Sequence, residues 1–166
     1  MDVQSSVLWS LTRTRDSLLK ALEGLTPTRV AWRACGNCNS IGSMVIHLGR
    51  VEDGWTHRVT GGKDIWETEG WCNKLELPTN DRGWTFDKQT LQQQRPLNDL
   101  VAYYEATHRL LVETVQKTSA SRLDETPENP MKLMVGQVFA HLIIEENQHV
   151  GQIAYLKGMQ ENLGIK

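Results

Sequence analysis

Residues 141–149 read HLIIEENQH and set three metal-capable side chains, His141, Glu145 and His149, four residues apart. The apolar residues around them recur at helical spacing, which predicts a long helix with one core-facing stripe. At about 100° per residue, the two histidines lie about 40° to either side of Glu145, within that stripe. A carboxylate on a packing face must be neutralised, paired or bound to a cation. Metal ligation is therefore the favoured interpretation of this segment.

The rise of an α-helix limits which of these side chains can share one ion. At about 1.5 Å per residue, His141 and His149 stand about 12 Å apart along the axis. Metal–ligand bonds of about 2.1 Å cannot span that gap. Glu145 can therefore pair with either histidine, and the spacing leaves both pairs open. A further ligand must come from a facing helix, and His47 is the best donor among the chain's five histidines.

His47 lies in residues 40–55, SIGSMVIHLGRVEDGW, which predict a helix that begins at an N-cap, either Asn39 or Ser40. The apolar residues of this helix form one stripe, and His47 lies at its border. A histidine at such a border can equally be a half-exposed residue bonded to water. Its assignment as a ligand therefore depends on the pairing with Glu145.

The remaining periodicity predicts an all-α protein: a single-domain four-helix bundle over residues 1–166. Four amphipathic segments are expected, and no strand pattern accompanies them: residues 2–22, 41–60, 97–117 and a last helix that follows the polar link 118–130 and ends near 162. Residues 63–96 have little periodicity and predict a long crossover between the second and third helices. A crossover of that length allows an up-down-down-up topology.

Composition excludes several function classes. The chain has 166 residues, of which 39% are hydrophobic and 23% charged, as expected for one globular domain. A net charge of −2 gives no basic field for a phosphate backbone, so nucleic-acid binding is not expected. No stretch approaches the ~20 apolar residues of a membrane span, and no signal peptide is recognisable. A cytoplasmic location is expected by default.

Two of the three cysteines form a CxxC motif, Cys35 and Cys38, just before the His47 helix. The motif could be half of a zinc site or a redox pair. No second CxxC or HxxxH pair completes a zinc site, and the strand-then-helix context of a redox pair is missing. Cys72 is isolated and is predicted simply to pack.

Two segments resemble the DinB/YfiT-like superfamily of bacterial metal-binding four-helix proteins. Residues 40–55 are similar to the second helix of that superfamily, with its single metal histidine, and residues 140–159, AHLIIEENQHVGQIAYLKGM, are similar to its fourth helix. Most members have histidine where this chain has Glu145. The glutamate resembles the mycothiol-dependent maleylpyruvate isomerase branch, whose metal is held by two histidines and one glutamate. The resemblance implies His47, Glu145 and His149 as the ligands.

The resemblance also implies the chemistry. A divalent ion, zinc or nickel with iron also compatible, would activate a low-molecular-weight thiol or water toward a small-molecule substrate. Thiol S-transferase, isomerase and hydrolase activities are all found in the superfamily, and homodimers are common. The alternative is a non-catalytic metal-binding bundle with a stress-related or scaffold role. Glu146 and His149 form an ExxH motif of the kind that di-iron bundles use, but a di-iron oxidase is disfavoured against a mononuclear site.

The sequence also predicts environments for other residues near the predicted site. Trp55 is predicted to pack in the core, with a pocket wall as the alternative. His141, if it is not a ligand, either supports the site or is a core histidine. Glu52 and Asp53 are predicted to lie on a solvated or helix-pairing face, because glutamates on bundle helices are mostly exposed.

Overall fold

The computed structural model describes residues 2–79 and 95–166, and within those ranges every regular element is a helix. The prediction of an all-α protein is therefore confirmed for this part of the chain. Residues 80–94 belong to the predicted crossover and lie outside the described residues. No helix in the described ranges is long and apolar enough to cross a membrane.

In the described ranges, four α-helices are long and three are short. The long helices are α1 (Val3–Leu22), α3 (Ile41–Thr60), α6 (Leu97–Lys117) and α7 (Val135–Asn162). The short ones are α2 (Pro27–Ala31), α4 (Ile65–Thr68) and α5 (Trp71–Lys74), and a 3-10 helix spans Ala120–Asp124. The bounds of α3 and α6 are those predicted from the periodicity.

Local sequence explains where these helices begin and end. The Asp2 carboxylate accepts a hydrogen bond from the Ser5 amide at 2.7 Å and so caps α1. Of the two residues predicted to cap α3, Ser40 does so, since its hydroxyl accepts from the Ser43 amide at 3.1 Å. The helix stops at Gly61, whose φ of 72° is the left-handed conformation that glycine adopts without strain.

The direction of each long helix follows from the residues that meet across its interfaces. Residue numbers rise together where α3 meets α6 and where α1 meets α7, so both pairs are parallel: Arg50–Tyr103 with Glu52–His108, and Thr14–Glu146 with Ala21–Lys157. Where α1 meets α6 and where α3 meets α7, residue numbers rise on one helix as they fall on the other, so both pairs are antiparallel. The contacts that show this are Gln4–Val115 with Arg15–Glu105, and His47–Glu145 with Trp55–His141.

Helices α3 and α6 approach each other closely in the interior. A Cβ at Gly49 would lie 2.7 Å from the Cδ1 and Cε1 atoms of Tyr103, so only glycine fits there. The Tyr103 ring is fully buried against Trp66, with the ring centroids 5.1 Å apart. This contact fixes the depth at which α3, and the residues it carries, lies against its neighbours.

Candidate metal centre

Three residues that the sequence resemblance assigns to a metal lie together between α3 and α7. The Nε2 atom of His47 is 3.7 Å from Oε2 of Glu145, and Nε2 of His149 is 3.6 Å from the same oxygen. The two imidazole rings meet edge to face, with centroids 4.8 Å apart. Glu145 and His149 converge because they are one turn apart on α7, and His47 reaches them because α3 runs antiparallel to α7.

The spacing and type of these groups fit one divalent ion. Ligands in a tetrahedral site with bonds of about 2.1 Å stand about 3.4 Å from one another. One donor atom from each of the three residues lies within 4.8 Å of the others. Two imidazole nitrogens and one carboxylate oxygen are donors that zinc, nickel and iron(II) accept. Small side-chain movements would therefore be enough to complete the ligand set.

The group is half-buried. The exposed fractions of the side chains are 22% for His47, 23% for Glu145 and 14% for His149. A bound ion would therefore face solvent on one side. Three protein ligands and an accessible side distinguish a catalytic site from a closed structural one.

The surroundings of His149 favour its neutral form. Burial, together with the neighbouring His47, lowers the pKa of His149 below its ordinary value. The Nδ1–H of His149 donates to the Gln152 side-chain oxygen at 2.9 Å, which leaves the lone pair on Nε2, the atom that faces Glu145. Metal-binding histidines are commonly oriented by such a second hydrogen bond.

His141 stands apart from this group. Its ring packs edge to face on Trp55, with centroids 5.2 Å apart. Trp55 is 2% exposed, so it packs in the core, as its primary assignment predicted. The sequence spacing left both histidines open as partners of Glu145. The structure brings His149 to Glu145 and leaves His141 with Trp55, and ligation itself stays a prediction.

A second polar group lies in the bundle interior and was not predicted. Glu52 from α3, His108 from α6 and Glu146 from α7 are 1%, 4% and 1% exposed. The Nδ1 atom of His108 is 2.9 Å from Glu52 and 3.5 Å from Glu146. We refer to these three residues as the buried triad.

Neighbouring hydroxyl groups satisfy the carboxylates of the buried triad. Tyr104 donates to Glu146 at 3.0 Å, Thr14 donates to the other oxygen of Glu146, and Thr107 donates to Glu52 at 2.8 Å. Each carboxylate oxygen thus already has a protein donor, and for one oxygen of Glu52 that donor is the ring of His108. The arrangement is a complete hydrogen-bonded network that needs no ion.

The protonation states of the buried triad balance its charge. Burial, and then the charge of Glu146, raises the pKa of Glu52 well above its ordinary value. Burial also opposes ionisation of Glu146, but hydrogen bonds from His108, Glu52 and Thr14 outweigh it and lower the pKa. Burial disfavours a charged His108, yet its bonds to the two carboxyl groups raise its pKa to about 10. These directions favour an imidazolium at His108, an ionised Glu146 and a neutral Glu52.

The structure decides between the two kinds of face expected for Glu52 and Asp53. Glu52 and Asp53 do not lie on a solvated face: they are 1% and 0% exposed, so the helix-pairing alternative is the one observed. The carboxylate of Asp53 accepts hydrogen bonds from the amides of Ile65 and Trp66, both at 3.0 Å, and so caps α4.

The ExxH residues Glu146 and His149 belong to different groups, since Glu146 is in the buried triad and His149 is in the candidate metal centre. The available signal was His108, which lies between Tyr104 and Leu111 on the apolar face of its helix.

The cysteines behave differently from one another. Cys35 and Cys38 form a disulfide, whereas Cys72 is free and buried, as predicted. Two groups of three metal-capable side chains occur in residues 2–79 and 95–166, and neither contains a cysteine. The half-zinc-site interpretation of the CxxC motif therefore has no support in the described part of the chain.

Comparisons with known proteins agree with this architecture. A crystal structure described as the conserved protein of locus from Enterococcus faecalis superposes with a TM-score of 0.81 at 19% identity, over 95% of this chain and 96% of that one. At that identity the likeness shows the fold alone. No curated protein matches the sequence. The family model described as Mycothiol-S-transferase matches residues 7–160. The chain therefore belongs to the mycothiol S-transferase family, which is DinB-like.

Proposed function

We propose that the protein is a metal-dependent enzyme that transfers a low-molecular-weight thiol of the mycothiol type to an electrophilic small molecule. His47, Glu145 and His149 are its proposed metal ligands. The observation that carries the proposal is the convergence of these three donors on one half-exposed point, in a chain of the mycothiol S-transferase family. A divalent ion at that point, zinc or nickel, with iron compatible, would lower the pKa of a bound thiol and polarise the electrophile.

The residues around the site have separate tasks in this proposal. Glu145 supplies the negative charge that offsets a divalent cation, and it stands between two imidazoles at similar distances. Gln152 orients His149 through its 2.9 Å hydrogen bond. The exposed side of the group is where a small-molecule substrate and the thiol would enter. No general base is assigned, since the thiol proton can leave to solvent on that open side.

The surrounding frame belongs to the same proposal. We propose that the four long helices make an up-down-down-up bundle, which the parallel pairs α3–α6 and α1–α7 support. We also propose a homodimer. Trp9 of α1 and Ile144 and Tyr155 of α7 support it, since these large apolar residues are 62%, 54% and 69% exposed.

Metal content is the first test of the ligand set. Protein without a histidine tag, purified without chelator, should contain one divalent ion per chain. His149→Ala should lose most of that metal, whereas the control His141→Ala should keep it. Equal loss in the two variants, or no metal even after reconstitution, would overturn the ligand assignment.

Thiol conjugation tests the activity. Metal-loaded protein is mixed with mycothiol and monobromobimane, and the conjugate is followed by fluorescence after separation. We expect conjugation above the uncatalysed rate that is lost on chelation, restored by metal and absent in His149→Ala. A protein that binds its ion tightly but conjugates none of a panel of electrophiles would instead be the non-catalytic metal-binding bundle.

A further inference from the structure

The CxxC motif takes no part in the proposed metal centre, yet its placement is specific. Cys35 and Cys38 lie in the connection between α2 and α3 and are joined by a disulfide. The Cys38 amide donates to the Cys35 carbonyl at 3.1 Å, which closes a tight turn. Cys35 is exposed and Cys38 is half-buried. A reagent in solution therefore meets the sulfur of Cys35 first.

A purely structural role explains this disulfide poorly. The stabilisation that a cross-link gives increases with the length of the loop it closes, because it removes freedom from the unfolded chain. This one is formed across a sequence separation of three. It joins two residues of one turn and ties no second element to the fold. Its loss would cost little, which is the property of a bond that can open and close.

The surroundings of Cys38 favour release of its sulfur as a thiolate. Cys38 is two residues before Ser40, the N-cap of the 20-residue helix α3, where the helix dipole stabilises negative charge. The Arg33 guanidinium is held beside it, since Nη1 donates to the Cys38 carbonyl at 3.0 Å. Among the residues that the structure describes, the other terminal nitrogen, Nη2, is buried without a hydrogen-bond partner. Positive charge near a leaving thiolate stabilises it and so favours exchange.

We propose that Cys35 and Cys38 form a reversible dithiol–disulfide couple that exchanges with low-molecular-weight thiols, separately from the metal centre. A thiolate from solution attacks the Cys35 sulfur and forms a mixed disulfide there, while the electron pair of the broken bond leaves on Cys38. A second thiolate attacks the small-molecule sulfur of the mixed disulfide and releases Cys35. Two thiols are oxidised to one disulfide, and the protein disulfide is reduced to two thiols that take up the two protons.

A redox titration tests the couple. Full-length protein is equilibrated in buffers with different ratios of reduced to oxidised glutathione, with chelator present so that the metal centre plays no part. The samples are acid-quenched, alkylated and analysed by mass spectrometry. We expect a single two-electron transition of the peptide that contains Cys35 and Cys38. Cys72, which is 1% exposed, should stay a free thiol throughout and serves as the internal control.

Two results would overturn the proposal. Cysteines that stay reduced in the most oxidising buffer would show that the bridge does not form, and cysteines that stay bridged in the most reducing buffer would show a structural cross-link. Because chelator is present throughout, either failure leaves the proposed transferase activity untouched. Loss of thiol conjugation would likewise leave this couple intact.

Single-cysteine variants test the order of attack. Cys38→Ser with oxidised glutathione should accumulate a stable glutathione adduct on Cys35, since the resolving thiol is absent. Reduced wild-type protein should convert to the internal bridge with little adduct, and Cys35→Ser should form its adduct much more slowly because Cys38 is half-buried. Equal adduct formation in the two variants, or none in Cys38→Ser, would contradict the mechanism.

Discussion

Replacing His108 with leucine would leave a buried carboxylate without its cation. The imidazolium of His108 lies between Glu52 and Glu146, with its Nδ1 atom 3.5 Å from the ionised Glu146. Leucine has a comparable size and carries no charge or donor. The two carboxyl groups would then carry one negative charge between them in the interior, with no positive charge to balance it.

The distance in the structure sets the expected size of the effect. At an effective dielectric constant near 20, two unit charges 3.5 Å apart attract by about 5 kcal/mol. Removing one partner of a buried ion pair typically costs about 3–5 kcal/mol. We therefore expect His108→Leu to lower the free energy of unfolding by about 3–5 kcal/mol. For a chain of this size that corresponds to a fall in Tm of roughly 6–20 °C.

Charge-matched variants separate this explanation from a simple packing defect. Glu146→Gln keeps the shape of the site and leaves Glu52 paired with His108 at 2.9 Å, so we expect it to cost less than about 1.5 kcal/mol. The double variant His108→Leu/Glu146→Gln has no unbalanced charge. It should recover about 1–3 kcal/mol relative to His108→Leu alone.

Urea denaturation followed by far-ultraviolet circular dichroism, with chelator present, measures all these values. The pKa of His108 is about 10 in the folded protein against an ordinary value of 6.5, so its stabilisation is complete below pH 6.5 and is lost as the pH rises through 10. The difference between wild type and His108→Leu should therefore shrink over that range. A His108→Leu protein within about 1 kcal/mol of wild type at pH 6.5, or no recovery in the double variant, would refute the reasoning.

Three further predictions concern the frame and the site. Gln152→Ala should weaken metal binding about 10–100-fold by titration calorimetry, because it removes the hydrogen bond that orients His149; an unchanged affinity would contradict that role. Gly49→Ala should lower stability by up to about 2 kcal/mol, because its methyl group would collide with the buried Tyr103 ring. The methyl group of Gly158→Ala would meet no described atom within 4 Å, so we expect that variant to raise stability by about 0.4–1 kcal/mol. Stability changes of the same sign in both variants would argue against the close approach at Gly49. In the metal-replete form, Glu146→Gln should keep one ion per chain by elemental analysis, and loss of metal would mean that the buried triad binds an ion.

The long helices could be predicted from the sequence because their signals are local. The periodicity of residues 41–60 and the cap chemistry of Ser40 and Gly61 lie within the segment they define. The pairing of Glu145 with His149 needed more, since spacing alone left His141 open. The pairing with His149 depends on which side of α7 faces His47, and only the packing of α3 against α7 determines that side.

The unpredicted features depend on residues that are distant in the sequence. Helix α4 is capped by Asp53, whose carboxylate comes from another helix and accepts the amides of the first turn. The buried triad draws one side chain from each of three helices. No window of the sequence contains more than one member, and a lone glutamate on a helix is normally exposed. The exposure that is usual for helical glutamates therefore does not apply to Glu52, which lies on the helix-pairing face.

The adjacent glutamates on α7 have different roles: Glu145 faces the proposed metal, and Glu146 belongs to the buried triad. Successive positions on a helix point about 100° apart, so neither carboxylate can replace the other. One residue inserted or deleted earlier in α7 would turn the helix and misdirect both at once. Length changes should therefore be tolerated in the connection before Val135 and rejected between Val135 and His149, a pattern that an insertion scan would reveal.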